Sequence, residues 1–278
     1  MLFLGTTPLA GTIKTKLFTS SGTFVVPTDV WMIWVDGCAG GGGGSGGHND
    51  TTGYGGTGGA PGQGVMQHAM PVIPGSTLTI SIGSGGNGAA AGQDISGSVD
   101  TTIIPSATAG PSSYLRLRCS GYALKGTASS GGGTSMNGAG TAFSSIRMFP
   151  RTTISTGAEG YLSPTYSATA IITGGIGGAP NTNGGYSGTF GSSVIEPSVL
   201  PSVVTIFVDG GVATANLGGG GAGGHTLWGL GGVGGAGGAA GLNASGYGAG
   251  GGGGGGNAAG GNGSPGFVRL YMITGYTI

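Results

Sequence analysis

Hydrophobic residues in this chain come in short alternating runs, and their spacing predicts strands rather than helices. Apolar positions at i, i+3, i+4 and i+7 never recur without an intervening Gly or Pro, so essentially no α-helix is expected. Residues 18–27 read as a strand and turn, and residues 30–35 as a second strand. In that second run Val30, Met32 and Trp34 point one way and Trp31, Ile33 and Val35 the other. Both faces are apolar, which predicts a strand buried between two layers. Thr77 to Ile82 alternates behind a Pro74-Gly75 turn, and Phe267 to Tyr271 reads as a closing strand. Residues 143–149, 152–156, 168–173 and 203–208 read as further short strands, punctuated by Pro150, Pro164, Pro180, Pro197 and Pro201. Residues 1–17 alternate only weakly, from Ile13 to Leu17, and read as an extended arm.

Between these runs glycine takes over. It supplies 73 of 278 residues, with seven in succession over 250–256. Gly231-Gly232-Val233-Gly234-Gly235-Ala236-Gly237-Gly238 repeats every three residues, as do the blocks beginning at Gly55 and Gly174. Three residues per turn is the pitch of the polyproline II helix, which glycine also adopts. With only hydrogen on two of every three Cα atoms, such helices can lie side by side and exchange backbone N–H···O=C bonds laterally, as polyglycine II. The expected fold is therefore all-β plus polyglycine II helices, with short strands anchoring a glycine-rich helical sandwich.

Composition tests that expectation. Gly and Pro together make nearly a third of the chain, a share carried by disordered chains when it lacks a period. Here 37% of residues are hydrophobic and only 6% charged, the reverse of a disordered composition. Collagen is excluded because the period is interrupted and Pro is scarce. Eight Lys and Arg balance eight Asp and Glu, so no basic face exists to neutralise phosphates and no nucleic-acid partner is expected. Near-zero net charge gives weak colloidal repulsion, which a component locked into an assembly tolerates.

Candidate chemistry is sparse. Gly83-Ser84-Gly85-Gly86-Asn87-Gly88 fits G-x-G-x-x-G, but residues 89–104 carry Gly92 and Gly97 and cannot supply the helix N-terminus that holds a pyrophosphate. Gly43-Gly44-Ser45-Gly46-Gly47 fits a nucleophile elbow, again without the helix that follows one. Matches of this kind arise by chance in so glycine-rich a chain. His48, His68 and His225 are too dispersed for a metal motif, and Cys38 and Cys119 form no C-x-x-C pair. Whether the two cysteines pair is open. No P-loop occurs, since none of Lys14, Lys16 and Lys125 follows a glycine. The chain is expected to be no enzyme and to hold no metal or cofactor.

Trp31, Trp34, Phe24, Phe207, Phe267 and Tyr271 lie in strand-like runs and are expected in the core. Tyr54, Tyr186, Trp228 and Tyr247 interrupt glycine-rich or turn-like segments instead. Aromatic side chains on tight loops grip saccharide and protein surfaces with little loss of rotamer freedom, so these four are the candidate receptor-binding residues. Their alternative role is to cap glycine layers. Residues 1–10 lack a basic n-region and fail as a signal peptide, and no run of about 18 apolar residues is present to span a bilayer.

Residues 18–27, the strand after them and Gly37-Cys38-Ala39-Gly40-Gly41 together resemble the entry of the glycine-rich domain of bacteriophage tail-fibre and receptor-binding proteins. Residues 72–86 resemble its middle element, and residues 261–271, Gly261-Asn262-Gly263-Ser264-Pro265-Gly266 followed by the closing strand, its end. The resemblance implies residues 18–142 and 210–278 as that domain, residues 143–209 as an inserted β-rich excursion and residues 1–17 as an attachment arm. It further implies a virion protein, either a tail fibre or a fibre-tip adhesin, with the T-even tip adhesins as the functional parallel. Expected partners are other virion proteins through the arm, and a host surface glycan or outer-membrane protein through the loops. A homotrimer is one possible unit. The alternative is a non-adhesive structural virion component, such as a capsid decoration or fibre-linking protein. Host and receptor are not legible.

Overall fold

Alternation on the page becomes pairing in space. The structure is a computed structural model that describes residues 11–48, 53–62, 64–93, 101–105, 115–117, 121–123, 134–136, 148–149, 177–178, 181–184, 209–214 and 216–275. Its strands, in chain order, are β1 (Thr12–Phe18), β2 (Gly22–Val25), β3 (Met32–Cys38), β4 (Gly64–Pro71), β5 (Thr77–Ser81), β6 (Thr101–Pro105) and β7 (Leu115–Leu117). They continue with β8 (Gly121–Ala123), β9 (Thr134–Met136), β10 (Met148–Phe149), β11 (Gly229–Leu230), β12 (Ser245–Gly246) and β13 (Phe267–Thr274). Every pairing among the described residues is antiparallel. One sheet has the order β1-β13-β3-β4-β10, a second the order β2-β5-β6-β7, and β8-β9 and β11-β12 are two-stranded. No α-helix occurs among the described residues.

The two larger sheets enclose the apolar core. Ile33 and Val35 of β3, Met70 of β4 and Val268, Leu270 and Met272 of β13 are buried in one cluster with Leu78 and Ile80 of β5, Phe18, Val26, Val30 and Val72. Phe18 meets the Phe24 ring edge-on, with centroids 6.4 Å apart. The other face of β3 departs from expectation in its first half, where Met32 is 37% exposed and Trp34 half-buried, while Asp36 and Cys38 farther along the same face are buried. Trp31, expected in the core, precedes β3 and is 64% exposed. Phe24 and Tyr271 are half-buried, Phe267 is buried, and Phe207 lies outside the described residues. The weakly alternating residues 12–18 are not part of a separate arm. They form β1 and pair with β13 from Thr12↔Thr274 to Phe18↔Val268, because Phe18 belongs to the core. Strand β4, which was not anticipated, carries a bulge opposite Val35 and Gly37. There Gln67 takes φ 48°, and its N–H donates to Asp36 Oδ1 at 2.8 Å.

Three strands of the first sheet run straight into glycine. β3 continues into residues 39–48, residues 53–62 lead into β4, and residues 258–266 lead into β13. Neighbours persist across the change while the period shifts from two to three. Gly41, Gly44 and Gly47 donate to Ser264, Gly261 and Ala258, whereas Gly42, Ser45 and His48 donate to Ala60, Thr57 and Tyr54. The central run shows the rotation in full. Gly250, Gly253 and Gly256 donate to Gly224, Gly221 and Gly218; Gly251, Gly254 and Asn257 donate to Gly42, Ser45 and His48; Gly252 and Gly255 donate to Leu242 and Ala239. Carbonyls of the same run accept in rotation from Gly232, Gly235 and Gly238, from Gly59 and Gly56, and from Gly261 and Ala258. This one segment therefore has six lateral neighbours. Only small side chains fit beside it, and Ala60, Ala222, Ala249, Ser45 and Thr57 are fully buried.

Candidate binding surfaces of the glycine block

Hydrogen-bond register gives the block two ends. The near end meets the sheets at Gly40, Gly62, Thr226–Gly231, residues 243–248 and Ser264. The far end collects His48, Gly53, Tyr54, Asn216 to Gly218, Gly237, Gly238 and Gly256 to Ala259.

Two of the four candidate aromatics meet at the near end. Trp228 and Tyr247 flank the β11–β12 hairpin and both pack on Phe267, with ring centroids 5.1 Å and 5.0 Å away. Thr226 locks the hairpin: its Oγ1 donates to Tyr247 O at 2.5 Å and accepts from the Trp228 N–H at 3.2 Å. Trp228 also lies against Gly64, where a Cβ would strike its ring. Both aromatics are half-buried, and together they plug the junction between block and sheet. Nearby His225 is 1% exposed, and its Nδ1 accepts from the Gly231 N–H at 3.2 Å.

Tyr54 sits at the other end, half-buried beside His48. Tyr186 lies outside the described residues. The four candidates thus do not form one surface.

The far end is built from turns that need left-handed backbone. Asn181, Asn216 and Asn257 have φ of 62°, 67° and 64°, a conformation that Asn tolerates better than other residues with a side chain. All three are exposed. Lateral bonds join their turns into one surface: Asn257 N–H donates to His48 O, Gly218 N–H to Gly53 O, Gly256 N–H to Gly218 O and Gly219 N–H to Thr182 O. Asn181 Oδ1 accepts from the Asn216 N–H at 2.9 Å, fixing two of the turns together. Among the described residues of this end none is Lys, Arg, Asp or Glu. These asparagines were missed in the sequence, although Asn257 directly after seven glycines is a turn signal.

The motif serine and the cysteine are both interior. Ser45 and Thr57 are fully buried, and Ser45 Oγ accepts from the Thr57 N–H at 2.8 Å. Cys38 is a free thiol in β3, and burial pushes its pKa up to about 12. Cys119 lies outside the described residues.

Comparison with curated proteins gives no match. A family model described as a glycine-rich domain matches residues 19–272. With strands feeding a laterally bonded glycine block across that span, the chain belongs to this glycine-rich domain family.

Proposed function

We propose that the chain is a bacteriophage virion protein, a tail fibre or fibre-tip adhesin, that binds a host cell-surface receptor through the far-end turns. The observation that carries this reading is the make-up of that end: exposed asparagines, hydroxyls and a tyrosine on adjoining turns, without a charged residue among those described. Amide, hydroxyl and aromatic groups held on rigid turns suit an uncharged glycan or the polar loops of an outer-membrane protein. In this reading the glycine segments are polyglycine II helices, and at about 3.1 Å per residue they make a stiff brick. Its turns can then vary without disturbing the lattice. Tyr54, Asn181, Asn216 and Asn257 are the binding candidates, while Trp228 and Tyr247 serve packing. Attachment to other virion proteins falls to the residues ahead of β1.

The test is competition for phage attachment by the purified chain. Wild type should block adsorption, and Tyr54→Ala or Asn257→Gly should weaken binding roughly 10- to 100-fold, the range of an interface hot spot. Glycine keeps the left-handed turn while removing the amide. Binding should also depend weakly on salt, because few ions are displaced. A wild-type chain that does not compete would sink the adhesin reading in favour of a structural virion component.

A further inference from the structure

Asparagine is followed directly by glycine at Asn87, Asn137, Asn183 and Asn262. Such a step is chemically weak, because asparagine is thermolabile and glycine has no Cβ to keep its backbone nitrogen off the preceding side chain. That nitrogen attacks the Asn Cγ: an N–Cγ bond forms, the Cγ–Nδ2 bond breaks, and ammonia leaves with the proton given up by the N–H. Water then opens the cyclic imide. Attack at Cγ gives Asp, and attack at the main-chain carbonyl carbon gives isoaspartate, whose main chain runs through Cγ. Either way asparagine and water become an acid and ammonia.

The reaction needs a glycine N–H released from its acceptor and an Asn side chain free to turn onto it. The glycine block withholds these unequally. The Gly184 N–H donates to Gly211 O at 2.9 Å, and Asn183 Oδ1 accepts from the Ala213 N–H at 2.8 Å. The Gly263 N–H donates to Gly86 O at 2.8 Å, while Asn262 Oδ1 accepts from the Gly88 N–H and the Asn262 N–H donates to Asn243 Oδ1, both at 2.7 Å. At these two steps the reacting groups are tied to neighbouring segments, which must part before they can meet. Asn87 differs. It is exposed, and its side chain has no hydrogen bond to another described residue. The Gly88 N–H is held by the side chain of Asn262, itself exposed, and not by a main-chain carbonyl. Exposed side chains change rotamer in picoseconds to nanoseconds, so this N–H is released without opening the lattice. Residues 84–93 also lie at the edge of the block, bonding laterally only to residues 41–47 and 260–263 among those described. The Asn137-Gly138 step lies outside the described residues.

We propose that Asn87 is the site at which the folded chain deamidates spontaneously, and that Asn262 restrains it by holding the Gly88 N–H. Isoaspartate at 87 lengthens the main chain by one atom between Gly86 and Ala89, whose N–H groups donate to Gly41 O and Gly44 O in three-residue register. The edge segment then falls out of step, while the six neighbours of the central run keep theirs.

Peptide mass mapping of the full chain, held at mildly alkaline pH either folded or in denaturant, tests the proposal. In denaturant Asn87, Asn183 and Asn262 should convert at similar rates. In the folded chain Asn183 and Asn262 should fall behind Asn87 by at least about 10-fold, because two or more lattice bonds must open first. Asn262→Ala frees the Gly88 N–H and should speed conversion at Asn87 severalfold. Asn262→Asp keeps an acceptor oxygen and should not. Conversion at Asn183 reports any general loosening of the block and should be unchanged in both variants. Equal rates at the three sites in the folded chain, or no conversion at Asn87, would overturn the proposal. So would an Asn262→Ala chain that converts at the wild-type rate, or one in which Asn183 accelerates together with Asn87.

Discussion

Replacing Gly253 by alanine adds one methyl group at the middle of the glycine block. That Cβ would point at the carbonyl of Gly56 and the backbone of Thr57, inside 3.0 Å of both. The obstacle is backbone, so no side chain can swing aside. Gly56 O accepts from the Gly221 N–H at 2.9 Å, and the Gly56 N–H donates to Gly254 O at 2.7 Å. Displacing this segment breaks both bonds and leaves buried groups unsatisfied, at about 1–3 kcal/mol each. Restricting the unfolded chain returns about 0.4–1 kcal/mol. The net loss of about 1.5–5 kcal/mol should lower the melting temperature by roughly 3–20 °C in calorimetry. Gly75→Ala is the control, because Gly75 has φ +76° and open space around its Cβ position. It should cost about 1–2 kcal/mol from backbone strain alone. A Gly253→Ala variant melting within a degree or two of wild type would refute the reasoning.

Trp228→Ala removes the ring packed on Phe267 and should cost about 2–4 kcal/mol in urea unfolding; unchanged stability with lost cell binding would return Trp228 to the receptor site. Burial, with the hydrogen bond to Asp36, raises the pKa of Tyr271. The folded state thus holds this proton more tightly, so the stability it contributes is complete below about pH 10 and is lost as pH rises through the folded value. Melting curves between about pH 8 and about pH 11 should fall less steeply for Tyr271→Phe; identical slopes would contradict this. Burial that pushes Cys38 up to about 12 should make it resist alkylation until the chain unfolds, as read by peptide mass spectrometry. Rapid labelling of the folded chain would show that β3 opens.

Much of the sandwich was legible because one buried face imposes alternation. Leu78 and Ile80 in β5, and Val268 and Leu270 in β13, announce themselves in this way. Strand β4 did not, because its bulge at Gln67 breaks the alternation and Gly64 and Pro71 bound it like loop residues. The apolar run of β3 was legible, but whether its second face is covered depends on what lies opposite, and Met32 and Trp34 carry no mark of that. Strand β1 was hidden by Lys14 and Lys16, which are exposed at core-facing register on an edge strand and offset its apolar pattern. The three-residue glycine period was plain in the sequence. Which segments neighbour each other was not, since backbone-to-backbone bonds leave no side-chain signature. For the same reason Trp228, Tyr247 and Tyr54 looked equivalent, although the order of segments places two of them at one end and the third at the other.

The central claim is that the glycine block is a hydrogen-bonded solid that fixes the far-end turns. Amide hydrogen exchange reads it directly. If the rotation of bonds around residues 250–256 holds in solution, these amides should exchange only through opening events approaching global unfolding, as slowly as those of β3 and β13. Exchange of the seven glycines at the rate of an unstructured peptide, while the strands stay protected, would contradict the account.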